Sequence, residues 1–266
     1  MKKIKNQTLF QRSLSTFLAA WRRTFGPRRT AANLSLFPSH NQFRILLALI
    51  TVAVACLFIW LDADLIRWKR EAIPRESLTV SMFELITLSG TSGWILIITA
   101  IIGVYLSTSD WAALPRSDRS RRLNIYADAN FVFFTVAISG IAANLIKNSI
   151  GRARPRLLEE LGPHHFNHAA FDSKFASFPS GHSTTSGALS MALILLFPRY
   201  WPVWLIFGIL GGLSRFVVDA HYPADVLAGL TFGAGFVIFA ARWLALRGTM
   251  FRLSDSWIPT RRRHPY

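Results

Sequence analysis

Two histidines, three cations and one carboxylate, gathered in three short segments, could together transfer a phosphoryl group. The segments cover residues 147–155, 178–182 and 214–225. Lys147, Arg154 and Arg215 supply positive charge for phosphate oxygens, the arginines by planar bidentate contacts and the lysine as a point charge. Pro179-Ser180-Gly181 stands just before an apolar run that reads as a helix, so free amides and the helix dipole point toward an anion. Gly181 permits close backbone approach, and the Ser180 hydroxyl can donate one more hydrogen bond. His221 precedes Asp225 by four residues, a spacing that brings imidazole and carboxylate together if the turn is helical. Held in that way, His221 keeps one nitrogen protonated and offers the other to phosphorus. His182, beside the cradle, can protonate the leaving oxygen and then activate water. Cationic side chains here take the part of magnesium, so neither metal nor cofactor is expected.

The elements that must hold these residues are membrane helices. The chain has 266 residues, 52% of them hydrophobic. The apolar residues form long blocks, as membrane spans do. Candidate spans cover 45–61, 93–106, 131–146, 184–197, 201–213 and 226–246, and several are short enough to need flanking residues or thinned bilayer. A further segment, 78–88, carries Glu84 and reads as lying along the surface. Trp60, Trp68, Trp94, Trp201, Trp204 and Trp243 fall near span ends, where interfacial aromatics collect. The only cysteine, Cys56, excludes intramolecular disulfides and cysteine metal clusters.

Thirty Lys and Arg stand against fourteen Asp and Glu, a formal net charge of +16. The basic residues crowd into 1–44, into the loop with Arg116, Arg119, Arg121 and Arg122, and into 247–266. Six spans put these three segments on one side, which the positive-inside rule makes cytoplasmic. Residues 1–44 thus read as a basic tail in which Phe10, Leu14, Phe17, Leu18, Trp21 and Phe25 recur at the spacing of an interfacial helix. Residues 45–246 form the membrane domain, and 247–266 a second basic cytoplasmic tail. The three chemical segments then share the outer face, where the basic loop after span three breaks the charge trend. Ionisable groups beside a bilayer usually mark function.

Lys147-x6-Arg154-Pro155, Pro179-Ser180-Gly181-His182 and Ser214-Arg215-x5-His221-x3-Asp225 together resemble the three-part signature of the type 2 phosphatidic acid phosphatase superfamily. No signature position departs from it. The resemblance implies an all-α, polytopic membrane bundle of about six transmembrane helices with a four-helix catalytic core. It also implies a histidine nucleophile and metal independence. The substrate class it implies is a membrane lipid phosphate or diphosphate, with lipid A, undecaprenyl diphosphate, phosphatidylglycerophosphate and phosphatidic acid all open. Small size points to a bacterial inner membrane.

Other groups read more plainly. Arg152 and Arg156 lie outside the signature and read as facing water or lipid phosphate. His164, His165 and His168 read as a solvated or headgroup-facing loop rather than a metal tract. Asn144 and Asp128 read as packing or boundary residues, and Glu84 stays open between an interfacial residue and a substrate contact. The basic tail fits anionic membrane lipids, and no nucleic-acid module accompanies the charge. A lipid-linked phosphotransferase and a non-catalytic transporter or scaffold are the competing functions. Oligomeric state is open.

Overall fold

The computed structural model describes residues 40–108, 114–169, 171–253 and 256–262, with the isolated positions 18, 22 and 38. The expected amino-terminal interfacial helix lies outside the described residues apart from positions 18 and 22. The described chain is built almost entirely of helices. Among the described residues, five helical segments are long and apolar enough to cross a membrane: Asn41–Ala72, Leu78–Thr108, Arg116–Ile150, Pro198–Val217 and Pro223–Leu246.

The first helical segment continues past residue 61, where hydropathy ends the span. Helix α1 (Asn41–Cys56) passes through a π-helical turn (Leu57–Leu61) into α2 (Asp62–Ala72). The polar α2 continues this helix without a break, and Lys69 and Arg70 in its last turn suit the negative end of the helix dipole. Helix α3 (Leu78–Ser89) is capped by Ser77, whose side chain accepts from the Val80 amide, and α4 (Ser92–Thr108) follows after a two-residue break. Residues 78–88 lie in α3, within a helical segment, Leu78–Thr108, long and apolar enough to cross a membrane. Helix α5 (Arg116–Ile150) takes in the four arginines read as a loop. After short turns, including α6 (Leu158–Leu161), come α7 (Gly181–Leu196), α8 (Trp201–Val217) and α9 (Pro223–Leu246).

The chain divides into two compact units. The larger takes residues 39–92 and 135–237 and holds every signature residue. Within it α7, at 16 residues, is shorter than the roughly 20 needed for a full crossing. It is nonetheless an interior helix, with Ser183 through Ser190 all buried. Small residues let its neighbours approach. A Cβ on Gly187 would lie 2.1 Å from the Leu230 carbonyl oxygen of α9, and one on Gly233 would lie 2.1 Å from that of Thr184. Apolar side chains of α1, among them Ile45, Leu47, Leu49 and Val52, point outward. Lipid, as apolar as they are, leaves no penalty for that exposure.

The smaller unit takes 93–134 and 238–266 besides the amino-terminal segment. Leu106, Leu123 and Tyr126 form its buried cluster. Its described carboxyl-terminal residues fold into a two-stranded hairpin, β1 (Phe251–Arg252) and β2 (Thr260–Arg261). Phe251 packs on Phe131 with ring centroids 4.9 Å apart, and Arg261 reaches Asp128 at 2.6 Å.

Candidate active site

The first signature segment is shaped by one glycine. Helix α5 carries Lys147 in its last turn and ends at Ile150. Gly151 adopts φ +70°, and a Cβ there would lie 1.8 Å from the Asn167 carbonyl oxygen, so no other residue fits. The chain then runs extended, held by Ala153 N to His165 O (3.0 Å), Arg154 N to Lys174 O (3.0 Å) and Ser177 N to Arg152 O (3.1 Å). Arg154 donates through Nη2 to the Ala176 carbonyl at 3.3 Å, while its buried Nε has no protein partner.

The second segment opens α7. Ser180 is its N-cap: its hydroxyl oxygen accepts from the Ser183 amide at 3.4 Å and the Ser183 hydroxyl at 2.9 Å. It is fully buried. The Lys147 ammonium stands 3.8 Å from where a Gly181 Cβ would be. His182 follows in the first turn, and a Cβ on Gly90, just beyond α3, would lie 3.3 Å from its carbonyl oxygen. Arg215, His221, Lys147 and Arg154 are all close enough to act on the His182 ring electrostatically.

The third segment bends off α8. The amides of Ala220 and His221 both donate to the Arg215 carbonyl, at 3.0 and 3.1 Å, wrapping the loop over that residue. The Arg215 Nε, like that of Arg154, is buried without a protein partner. Thr87 on α3 donates to the Ser214 hydroxyl at 2.8 Å and lies 3.5 Å from Arg215 Nη1. Midway in the loop Asp219 adopts φ +60°, a conformation Asp tolerates better than most residues. Lys69 (3.2 Å), Arg70 (3.0 Å) and Arg75 (3.3 Å) all grip its carboxylate, fastening α2 and the turn after it to the catalytic loop. Sequence reasoning assigned no role to Thr87, Lys69 or Asp219, since each acts through a contact remote in sequence.

His221 and Asp225 come together differently from the expected direct pair. His221 Nδ1 lies 2.9 Å from the Ser177 carbonyl oxygen and 3.7 Å from Asp225 Oδ2. The ring nitrogen thus donates to the backbone of Ser177. Asp225 Oδ2 accepts from the Ser177 hydroxyl at 2.6 Å and the Tyr222 amide at 3.0 Å, and Oδ1 accepts from Arg152 at 2.6 Å. The physical reason is local. Helix α9 begins at Pro223, so His221 stands ahead of it in a loop and the helical four-residue geometry does not apply. Burial pushes the His221 ring down from 6.5 to about 4, against the pull of Asp225 and with help from the Arg154 and Arg215 charges. At neutral pH it is an uncharged imidazole.

Arg152 corrects an expectation. It does not face water or lipid: its side chain is wholly buried and bonds Asp62 at 2.8 Å as well as Asp225. Burial works against its charge, but Asp225 and Asp62 outweigh it and hold the guanidinium above its ordinary range. Arg156 is exposed. With Glu84, Lys69, Arg75 and Asp219 it lines a cavity of about 290 Å³. In the histidine tract, His164 Nε2 lies 2.8 Å from the Phe58 carbonyl, His165 meets the Phe175 ring and His168 stacks on Phe166.

The PAP2 superfamily model matches residues 128–248, which contain all three segments. A lipid A 1-phosphatase of Rhizobium johnstonii is 39% identical over 211 residues, covering 76% of this chain and 86% of that one. The chain belongs to the PAP2 superfamily. A lipid A 1-phosphatase of Rhizobium etli is 36% identical across 79% of this PAP2 protein and 94% of the relative. The undecaprenyl-diphosphatase BcrC of Bacillus subtilis is 46% identical over a shorter stretch, 69 residues, covering 24% of this chain and 34% of that one. Among solved structures, the transmembrane PAP2-type phosphatidylglycerolphosphate phosphatase of B. subtilis matches with a TM-score of 0.51. Identity is 18%, across 77% of this chain and 94% of that one, which establishes the shared fold. This PAP2 protein is a multi-pass membrane phosphatase.

Proposed function

We propose that this PAP2 protein releases phosphate from a membrane lipid through a phosphohistidine on His221, without a metal. Lys147, Arg154 and Arg215 would hold the phosphate oxygens, with the amides that open α7 at Gly181 completing the cradle. His221 Nε2 attacks phosphorus, the bond from phosphorus to the lipid oxygen breaks, and His182 gives that oxygen a proton. His182 then takes a proton from water, whose oxygen attacks phosphorus, and the bond to Nε2 breaks to release inorganic phosphate. Charge that a metal would otherwise offset is spread over the three cations.

The observation that carries this reading is the commitment of His221 Nδ1 to the Ser177 carbonyl. It selects the tautomer whose Nε2 lone pair is available, on a ring that is neutral at pH 7. The lipid A 1-phosphatases, similar over most of their length, make the 1-phosphate of lipid A the first substrate to test. The cavity beside Arg156 and Glu84 would receive the polar headgroup beyond the phosphate. Basic residues in 1–44 and 116–122 would keep these segments cytoplasmic in a bacterial inner membrane and leave the site at the outer face.

The test is phosphate release by purified protein in EDTA from lipid A and a panel of other lipid phosphates and diphosphates. His221→Ala serves as control. Release from lipid A that disappears in the variant supports the reading. Turnover by folded His221→Ala overturns the nucleophile, and activity that EDTA abolishes and magnesium or zinc restores overturns the metal-free mechanism.

A further inference from the structure

The arginine two residues before Arg154 is of the same type but lies in a different environment. Arg154 and Arg215 are partly accessible, and each keeps a guanidinium nitrogen without a protein partner, as groups awaiting an anion would. Arg152 has no exposure at all. Its Nη1 donates to Asp225 Oδ1 at 2.6 Å and its Nη2 to Asp62 Oδ2 at 2.8 Å. Nε and Nη2 also donate to the Pro163 carbonyl, at 3.2 and 3.1 Å. The guanidinium plane is clamped between the rings of Phe58 and Tyr222, 4.4 and 4.2 Å from their centroids. Asp62 is anchored in turn: its Oδ1 accepts from the Ala224 amide in the first turn of α9 at 2.9 Å.

These contacts form a chain that ends on the reacting ring. Asp62 holds Arg152, and Arg152 holds one oxygen of Asp225. The other Asp225 oxygen holds the Ser177 hydroxyl, and the Ser177 carbonyl holds His221 Nδ1. We propose that Arg152, braced by Asp62, is a positioning residue that sets the His221 ring through Asp225 and Ser177 and does not bind substrate phosphate. The inference rests on the reading of His221 as nucleophile. Arg152 neutralises Asp225 and fixes its plane, so the carboxylate presents its free oxygen to Ser177. A wholly buried guanidinium with four of its five N–H donors engaged and two rings packed on it has no open edge for a phosphate.

A double-mutant cycle in the full-length protein, with a lipid phosphate in detergent, tests this. Arg152→Gln should lower kcat by about 10- to 100-fold, the effect of losing the charge-assisted hydrogen bond to Asp225, with KM changed by less than about 3-fold. Arg154→Ala, by contrast, should raise KM. Arg152→Gln combined with Asp225→Asn should lose no more than Asp225→Asn alone, because both act along one chain. If Arg152→Gln does not fold, Asp62→Asn takes its place in the same cycle and should give a smaller, equally non-additive loss in kcat. Losses that multiply, or a KM that rises as in Arg154→Ala, overturn the inference while an inactive His221→Ala leaves the nucleophile standing. An active His221→Ala overturns the reading on which the inference rests.

Discussion

Replacing Asp225 by Asn separates a direct histidine–carboxylate pair from the indirect arrangement seen here. The carboxylate accepts from Ser177 Oγ (2.6 Å), the Tyr222 amide (3.0 Å) and Arg152 (2.6 Å), while His221 Nδ1 lies 3.7 Å away. Asparagine keeps the shape, but its amide must meet either the Arg152 donor or the Tyr222 amide with a donor of its own. The His221 tautomer is unaffected, since the Ser177 carbonyl defines it. The catalytic loss should therefore be that of one charge-assisted hydrogen bond, about 1.5–3 kcal/mol. At 1.36 kcal/mol per tenfold, that is roughly a 10- to 150-fold fall in kcat. A carboxylate that itself defines the tautomer is worth about 10⁴-fold. Removing one partner from a buried pair typically costs about 3–5 kcal/mol. Asp62 still holds Arg152, so the expected destabilisation is toward the lower end. The assay is phosphate release at saturating lipid phosphate in EDTA, on protein that elutes as a single folded species. A loss near 10⁴-fold in folded Asp225→Asn would refute the indirect arrangement.

Three further outcomes follow from the same geometry. His221 is neutral when buried, whereas the unfolded chain takes a proton on it below about pH 6.5, so stability should fall as pH drops from 6.5 toward 4, by up to about 3 kcal/mol. Thermal unfolding in detergent at pH 7 and pH 5 should accordingly slope less in His221→Asn than in the parent, and equal slopes would contradict the buried neutral ring. Thr87→Val removes the bond to Ser214 and the contact to Arg215, and should weaken kcat/KM by about 2- to 10-fold. An unchanged value would show that α3 does not help orient Arg215. Gly233→Ala puts a methyl 2.1 Å from the Thr184 carbonyl oxygen and should destabilise by about 3 kcal/mol or more, whereas Gly235→Ala meets nothing within 4 Å and should be silent. Equal melting temperatures in the two variants would mean that α7 and α9 are not in glycine contact.

Residue type and spacing alone put forward Lys147, Arg154, Ser180, Gly181, His182, Arg215, His221 and Asp225 as candidates, because phosphoryl transfer needs few kinds of group and they crowd at the ends of apolar blocks. Those blocks likewise revealed the membrane helices, since only a helix satisfies its own backbone in lipid. Hydropathy erred where charges are neutralised within the fold. It ended the first span at residue 61, yet the helix continues and Asp62 is buried within it, paired with Arg152, 90 residues away. It left Lys69 outside every span, yet Lys69 is buried and paired with Asp219. Sequence set Arg152 apart from Arg154, two positions on, by the signature alone, and gave no sign that Arg152 is buried. The turn at Gly151, the carboxylates of Asp62 and Asp225 and the rings of Phe58 and Tyr222 draw the first inward. The second keeps a nitrogen without a protein partner. A local window registers each charge by itself. Whether that charge faces lipid, water, substrate or an opposite charge depends on residues brought beside it from elsewhere in the chain, and only the tertiary structure decides that.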